Sequence, residues 1–346
     1  MQLVRPQSLV FDTLYIGGGT PSVFSPEEIG RVIDSALKQF NIAADVEVTL
    51  EVNPGTVAYE QLIGYLDAGI NRLNIGSQSF QDANLQFLGR IHSSRDSIQA
   101  FDWSRQVGFD NVGLDLIYGL PEQTRENWRM DLEHALKLNP EHLSCYMLTC
   151  EPGTPLHRDL RAGRYHPLPD GKVRELFNLT VEYLEKNGYV QYETSNFARK
   201  FKADTTRYIS RHNFKYWTSA PYLGFGASAH SFIEPQRCWN LSDVDKYIQE
   251  IEAGHLPVEE TEVLTAEQLI MEAIYLGLRT FNGIDVEEFN QKFGLDFLQI
   301  FHQTITELEN EGMIQKEQNR VRLSRKGMSF QDSVTAMFTS QDIKAS

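Results

Sequence analysis

Three consecutive glycines stand in the segment YIGGGTPS, residues 15–22, between an apolar stretch and a predicted helix. Glycine lets a backbone approach a ligand closely, because it has no Cβ and tolerates positive φ. A dinucleotide-binding turn would need another glycine at Val23, and no P-loop lysine follows the run. Since a tight turn alone would need a single glycine, the run favours a ligand whose charged group contacts backbone carbonyls, such as an amino-acid ammonium.

Polar residues recur at the predicted ends of apolar strands. The carboxylate of Glu51 ends the alternating segment VEVTLEV, so it is either solvated at the rim of the fold or directed inward. Gln78 ends another strand, and Arg90 follows about three helical turns later. Asp115 lies inside the apolar strand NVGLDLIY, where a charge is costly to bury unless it is paired or binds a ligand. Arg90 and Asp115 therefore form either a structural ion pair or part of a binding site.

The strands that must position these residues alternate with helices in the first half of the chain. Each strand candidate is rich in β-branched or aliphatic residues. Alternation of this length predicts a parallel sheet with right-handed crossovers, open or closed into a barrel, whose C-terminal strand ends converge at one mouth. The strand candidates are residues 10–16, 46–52, 72–76, 111–118 and 142–148.

The first predicted helix illustrates how the helices are delimited. Ser25 is a natural N-cap, and Pro26 suits the first helical position. An apolar stripe at helical spacing predicts that one face packs on the core, and it consists of Ile29, Val32, Ile33, Ala36, Leu37 and Phe40. Later helix boundaries are predicted at two threonine caps and three glycine stops, namely Thr56, Thr124, Gly69, Gly108 and Gly188.

The character of the chain changes from about residue 265. The remainder predicts three helices, two short strands around EQNR and a final helix, which is the order of a winged helix. DNA recognition is disfavoured because the third helix region has no Lys or Arg and contains Asp296, Glu307, Glu309 and Glu311. A packing module is the favoured interpretation.

Composition excludes several classes of partner. The formal net charge of −15 would repel nucleic acid and anionic membrane on average. No apolar run approaches the roughly 18 residues of a membrane-spanning helix, and the start MQLVRPQSLVF lacks the apolar region of a signal peptide, which predicts a cytoplasmic protein without an integral membrane segment. Three cysteines are too few for a disulfide framework, and their odd number would leave one of them unpaired.

The order and spacing of several motifs resemble one known family. IGGGTPS, EVNPGT, AGINRLNIGSQSF, VGLDLIYGLPEQT, GYVQYETSNFA and HNFKYW follow one another along nearly the whole chain. This succession resembles the oxygen-independent coproporphyrinogen III oxidase-like branch of the radical SAM enzymes, and HNFKYW with the C-terminal module is similar to its haem chaperone subgroup. The resemblance implies an α/β fold, a radical SAM partial (β/α)6 barrel missing its first strand, with a C-terminal winged-helix-like α+β module.

The resemblance also implies domains, ligands and a function. It implies a core barrel over 1–200, N-terminally incomplete, a linker and haem-motif region over 201–260, and the winged-helix-like module over 261–346. It implies haem binding and delivery to haem acceptor proteins, and the alternative is anaerobic oxidative decarboxylation of coproporphyrinogen III. The positions that it implies for S-adenosylmethionine (SAM) are Gly18, Gly19, Thr20, Glu51, Gln78, Arg90, Asp115 and Thr149.

The segment RHNFKYW contains the haem-ligand candidate that the resemblance implies, His212. A neutral imidazole is a common axial haem ligand, and the neighbouring Asn213 and Trp217 offer a hydrogen-bonding group and a flat apolar surface. Without the family, a histidine in such a segment equally fits a packed or capping residue, and this also holds for His230. Cys238 has no flanking signature, so we interpret it as structural.

One departure from the family concerns the metal centre. Family members carry a C-x-x-x-C-x-x-C motif after the first barrel strand, where three thiolates hold a [4Fe–4S] cluster. Cys145, Cys150 and Cys238 do not have this spacing, so we expect a cluster only with a further N-terminal segment, and the enzymatic status of the chain stays open. Either Met1 is an internal methionine of a longer protein, which we favour, or the chain is a homologue that has lost radical chemistry.

Overall fold

Alternating strands and helices build the first part of the chain. The structure, a computed structural model, describes residues 9–202 and 204–339. Contacts divide the chain into two units, Met1–His212 and Asn213–Ser346. Most of the segment MQLVRPQSLVF, whose composition predicts the absence of a signal peptide, lies outside the described residues.

Parallel strands form most of the sheet in the first unit. The strands are β1 (Phe11–Ile16), β2 (Ile42–Val52), β3 (Arg72–Gln78), β4 (Val112–Tyr118), β5 (His142–Met147), β6 (Tyr189–Gln191) and β7 (Asn196–Arg199). In the part of the chain that the structure describes, their order is β1-β2-β3-β4-β5-β7-β6, with β1 to β5 parallel and β7 antiparallel to both of its neighbours. The predicted parallel α/β sheet is confirmed, whereas the antiparallel pair β6 and β7 was not anticipated.

Helices connect the parallel strands. They are α1 (Pro26–Gln39), α2 (Tyr59–Asp67), α3 (Asp82–Phe87), α4 (Ser94–Val107), α5 (Arg125–Leu138), α6 (Pro155–Arg161) and α7 (Asp170–Lys186). A further helix, α8 (Arg211–Trp217), contains the boundary between the two units.

The two faces of this sheet differ in chemistry. One line of residues in register across β2 to β5 is apolar and buried, namely Val52, Ile75, Leu114 and Leu143. Helices α4 and α5 pack against β3 and β4, and burying such side chains stabilises the fold by about 1.5–3 kcal/mol each. The adjacent register line points to the opposite face and is polar apart from one glycine, namely Glu51, Asn74, Gly113 and His142. The polar face is therefore where a ligand site can form.

The predicted helix boundaries are mostly confirmed. Ser25 caps α1 in a capping box with Glu28, and Thr124 caps α5. The prediction for Thr56 is wrong, because this residue lies in a 3-10 turn and α2 begins at Tyr59 after the N-cap Ala58. The three predicted glycine stops lie within two residues of the ends of α2, α4 and α7. They are Gly69, Gly108 and Gly188.

The core-facing stripe predicted for α1 is only partly correct. Ile29 and Ile33 are buried, but Val32 and Leu37 are 57% and 50% exposed. The buried face of α1 is thus narrower than the apolar stripe, because burial of a helix face depends on which elements lie against it and not on spacing alone.

The second unit begins with a small antiparallel sheet and continues as the winged-helix-like module. Residues 201–260, predicted as a linker and haem-motif region, contain α8, two strands and a helix of this unit as well as the start of a third strand. Its elements are β8 (His230–Ile233), β9 (Gln236–Asn240), α9 (Val244–Glu252), β10 (Val258–Val263), α10 (Ala266–Arg279), β11 (Ile284–Asp285), α11 (Val286–Phe293), α12 (Phe297–Ile300), α13 (His302–Asn310), β12 (Ile314–Glu317), β13 (Arg320–Leu323), α14 (Arg325–Met328) and α15 (Gln331–Thr339).

The C-terminal module has the predicted order of helices, a two-stranded wing and a final helix, and it also contains a short strand, β11, and two short helices, α12 and α14, that were not predicted. Strands β12 and β13 pair antiparallel, and β11 adds to β13 at the other edge. Phe297, Phe301 and Phe338 are fully buried and contact one another in its core. Helix α13 contains no Lys or Arg and two glutamates, Glu307 and Glu309, which is consistent with packing rather than DNA recognition.

Among the helices that the described ranges contain, none combines the length and apolarity that crossing a bilayer requires.

Candidate functional site

The glycine run lies directly after β1 and its members meet different requirements. A Cβ on Gly17 would lie 2.5 Å from Cε1 of Tyr15 and 2.9 Å from Cδ of Glu51, so this position needs a glycine for packing. Gly18 and Gly19 adopt φ of +81° and +64°, which favours glycine by conformation. A Cβ on either of these two would meet no described atom within 4 Å, so the loop leaves space beside it for a ligand group. Thr20 follows and is the N-cap of the 3-10 turn Pro21–Val23.

Glu51 is directed at this loop. Its Oε1 accepts a hydrogen bond from the Tyr15 hydroxyl at 2.5 Å, and its Oε2 accepts one from the backbone N–H of Gly18 at 3.1 Å. The sequence left open whether this carboxylate is solvated at the rim or directed inward, and the contacts place it inward against the glycine loop. The carboxylate thereby holds the loop and brings negative charge to its open side.

Asp115 lies on the same face of the sheet as Glu51, as the SAM hypothesis requires. Its Oδ2 accepts a hydrogen bond from Asn74 Nδ2 at 2.6 Å, while its Oδ1 is buried without a hydrogen-bond partner. Burial and, to a lesser degree, the charge of Glu51 raise the pKa of Asp115 to about 6, against the effect of Ser144 and Asn74. A buried carboxylate oxygen without a hydrogen-bond donor is costly, so Oδ1 of Asp115 is available to accept a hydrogen bond from a ligand.

Arg90 and Gln78 lie near the C-terminal end of β3. Arg90 Nη2 donates to the carbonyl of Gly76 at 3.2 Å, and its Nε is buried without a hydrogen-bond partner. Burial lowers the pKa of Arg90, and the nearby charge of Asp115 acts in the opposite direction. The ion pairs found within the described ranges do not join Arg90 to Asp115, so the structural-pair alternative is not what the fold contains. Gln78 adopts a positive φ of 63°.

Thr149 stands apart from the other candidates. It follows β5, is exposed, and its hydroxyl donates to the carbonyl of Met147 at 3.4 Å. No contact described for Thr149 in the resolved ranges 9–202 and 204–339 reaches Glu51 or Asp115. Its role toward SAM stays a prediction.

His212 packs against the inner face of β1 and β2. Its imidazole stacks on the ring of Tyr15, with centroids 4.8 Å apart and planes at 17°, and its Nδ1 lies 2.9 Å from the hydroxyl of Thr13. Its backbone N–H donates to Glu47 Oε1 at 3.1 Å. The haem-ligand candidate is therefore held in a fixed orientation next to the tyrosine that contacts Glu51.

The cysteines do not form a cluster site. Cys145 is buried in β5, and burial raises the pKa of its thiol. Cys150 Sγ lies 3.0 Å from the hydroxyl of Tyr165, and Cys238 is buried in the other unit. All three cysteines of the chain fall within the described residues, where no group of three or more His, Cys, Asp or Glu side chains could hold a metal ion. The described residues therefore leave space for a ligand group at the glycine loop, but they do not fit a three-thiolate cluster.

Sequence reasoning missed four residues that support this site, which are Thr13, Tyr15, Glu47 and Asn74. A signal for three of them was present, because polar residues alternate in FDTLYI and VEVTLEV with the period of a strand. Where helices cover one face of a sheet, such alternation indicates that the opposite face, called here the inner face, is polar.

Substituting Gly17 by alanine is expected to disrupt the loop. The new Cβ would overlap Tyr15 and Glu51, so we expect a loss of about 1–3 kcal/mol in the free energy of unfolding. Denaturant unfolding of Gly17→Ala measures this change. Gly30→Ala is the matched control, because its Cβ would lie 3.6 Å from that of Ala68, an ordinary contact, and we expect it to be neutral or stabilising. Equal stabilities of the two variants would contradict the packing argument.

Ionisation of Asp115 is expected to lower the free energy of unfolding as pH rises. A carboxyl whose folded pKa of about 6 exceeds its unfolded value of 3.8 ionises first in the unfolded chain, so its contribution to stability is lost between about pH 4 and 6. Asp115→Asn is therefore expected to raise the free energy of unfolding at pH 7.5 by about 2 kcal/mol and to flatten its dependence over that window. Asp110→Asn, at an exposed position, is the control. A variant less stable than the parent chain at pH 7.5 would refute the sign.

Two family profiles match the chain. The profile of the Radical SAM superfamily matches residues 5–135, and the profile described as HemN C-terminal domain matches residues 264–330.

Several known proteins are similar over most of the chain. The Heme chaperone HemW of Bacillus subtilis (strain 168) is 34% identical over 327 residues, which cover 94% of this chain and 85% of that protein. The Radical S-adenosyl methionine domain-containing protein 1, mitochondrial, of Bos taurus is 32% identical over 335 residues, covering 93% and 74%. The solved structure of coproporphyrinogen III oxidase (HemN) from Escherichia coli has a TM-score of 0.80 at 23% identity, covering 96% of this chain and 78% of that chain, and it supports the fold.

Proposed function

We propose that this chain, which belongs to the radical SAM superfamily and within it to the family of HemW-like proteins, binds haem and delivers it to acceptor proteins. The single observation that supports this function most strongly is the match to the Heme chaperone HemW of Bacillus subtilis over 94% of the chain. The structure contributes a histidine, His212, in a fixed orientation next to the candidate SAM loop.

Membership of the superfamily implies SAM and a [4Fe–4S] cluster as cofactors. We propose that the ammonium of SAM binds at the open side of Gly18 and Gly19, beside the carboxylate of Glu51. The buried Nε of Arg90 is a donor suited to the SAM carboxylate, and the unpaired Oδ1 of Asp115 is an acceptor for a hydroxyl. In this superfamily, SAM beside a cluster supplies radical chemistry, but the three cysteines of this chain do not fit that cluster.

Haem coordination is assigned to the imidazole of His212. Thr13 and Glu47 hold its Nδ1 and its backbone N–H, and the ring of Tyr15 supports one of its faces. Side chains that fix a ligating imidazole in this way determine its tautomer and strengthen the bond to the metal. The proposed acceptor is a haem protein, in line with the prediction from the sequence and with the name of the Bacillus subtilis relative.

Haem titration and transfer test this function. The chain is mixed with increasing haem and the Soret band is followed, after which the loaded chain is mixed with an apo-haem protein and the rate of transfer is compared with that from free haem. We expect saturable one-site binding and a transfer rate that depends on the concentration of the acceptor, because delivery requires an encounter between the two proteins.

A second measurement separates the proposal from the enzymatic alternative. The chain is incubated anaerobically with coproporphyrinogen III, SAM and a reductant, and the products are identified by mass spectrometry. Decarboxylated product would establish the oxidase, whereas saturable haem binding followed by transfer to the acceptor supports the chaperone. A chain that gives no Soret change with haem would refute the proposed function.

A further inference from the structure

Tyr15 lies between the two candidate ligand sites. The stacking contact with His212 and the hydrogen bond to Glu51 use different parts of the same side chain, the ring face and the hydroxyl. Both contacts lie within the unit Met1–His212. The SAM loop and the haem-ligand candidate are thus joined through one residue.

The hydroxyl end of Tyr15 determines the position of the carboxylate that holds the glycine loop. The hydroxyl donates to Oε1 of Glu51 at 2.5 Å, and Oε2 of Glu51 accepts the N–H of Gly18 at 3.1 Å. The ring reaches this position because Gly17 has no Cβ, since that atom would lie 2.5 Å from Cε1. Burial and the charge of Glu51 raise the pKa of Tyr15 well above its usual range, so its hydroxyl remains a donor at physiological pH.

The ring end of Tyr15 helps to orient the imidazole of His212. The nearly parallel rings restrict rotation of the imidazole from one face, while the hydroxyl of Thr13 contacts its Nδ1 at 2.9 Å. Thr13 and Tyr15 project from the same face of β1, so a shift of this strand end moves both contacts of the imidazole together.

We propose that Tyr15 is a positioning residue shared by both sites, through which SAM bound at the glycine loop increases the affinity of the chain for haem. This inference rests on the proposed function. A ligand that orders Gly18, Gly19 and Glu51 restricts the hydroxyl of Tyr15 and therefore its ring, so part of the ordering that haem requires of His212 is already complete. Linkage is reciprocal, and haem must increase the affinity for SAM by the same factor.

The test measures haem dissociation constants by Soret titration of the full chain with and without saturating SAM. For the parent chain we expect the constant to fall about fivefold with SAM. In Tyr15→Phe, which keeps a ring but cannot donate to Glu51, the ratio of the two constants is expected to approach one. Tyr59→Phe is the matched control, because the contact described for Tyr59 within residues 9–202 and 204–339 is with Trp103 and not with Glu51 or His212, and its ratio is expected to equal that of the parent chain.

A double-mutant cycle separates coupling from general damage. Glu51→Ala alone is expected to lower the ratio, and adding Tyr15→Phe to it is expected to change the ratio no further, since alanine already removes the hydrogen bond through which the two groups act. The inference is overturned if the ratio of the haem dissociation constants without and with SAM is equal in the parent chain and in Tyr15→Phe. It is also overturned if both ligands bind to the parent chain but this ratio is one. Failure of haem to bind at all refutes the proposed function itself, and calorimetry with SAM alone reports on the glycine loop independently.

Discussion

Replacing His212 by alanine is expected to abolish the Soret shift on haem titration, or to weaken haem binding at least about tenfold. An axial imidazole supplies both a bond to iron and its spectroscopic signature, and alanine offers neither. The contacts of His212 with Thr13 and Tyr15 lie at a partly exposed position, so we expect the variant to fold. Absorbance titration measures the effect, and circular dichroism verifies the fold.

The matched control for this substitution is His230→Ala. His230 is exposed, lies in the other unit and stacks on Trp239, so its removal is expected to leave the haem spectrum nearly unchanged. Free imidazole added to His212→Ala is expected to restore part of the Soret shift, because it replaces the missing ligand without the side chain. A folded His212→Ala with the spectrum of the parent chain would exclude His212 as the ligand.

Replacing Glu51 by glutamine is expected to weaken SAM binding about 30-fold, as isothermal titration would measure. Glutamine keeps an oxygen that can accept from Tyr15 or Gly18, so the loop is retained and the change removes chiefly the negative charge beside it. A cationic ammonium loses a charge-assisted hydrogen bond in this variant.

Comparison with a neutral ligand shows whether charge is responsible. The control variant Glu60→Gln changes an exposed glutamate at the start of α2 and is expected to bind SAM like the parent chain. Adenosine, which has the nucleoside but no ammonium, is expected to bind Glu51→Gln and the parent chain equally. If SAM binds Glu51→Gln as tightly as the parent chain, the ammonium does not lie at this carboxylate.

The parallel sheet could be predicted from the sequence because each of its strands is encoded locally. The predicted strand at 111–118 is observed as Val112–Tyr118, and that at 142–148 as His142–Met147. Apolar β-branched runs and turn residues act over a few positions, so they do not depend on the rest of the chain. The pair β6 and β7 was missed since Tyr189–Gln191 and Asn196–Arg199 are too short for a periodic signal.

Predictions about burial were less secure where they depended on a neighbouring element. Val32 and Leu37 share the apolar spacing of α1 with Ile29 and Ile33, yet they are exposed. Spacing determines which residues share a face of a helix, but only packing determines how much of that face is covered.

The α/β class, the general order of the C-terminal module and the residue types of the candidate site could be read from the sequence, since propensity, periodicity and motif spacing are local properties. Which of those residues meet depends on how the strands pair. Glu51 and Asp115 share the polar inner face because the strands pair in a particular register, and a shift of one residue would have turned either side chain away. The contact between Tyr15 and His212 joins positions nearly two hundred residues apart, and no local pattern encodes a contact that chain folding alone brings about.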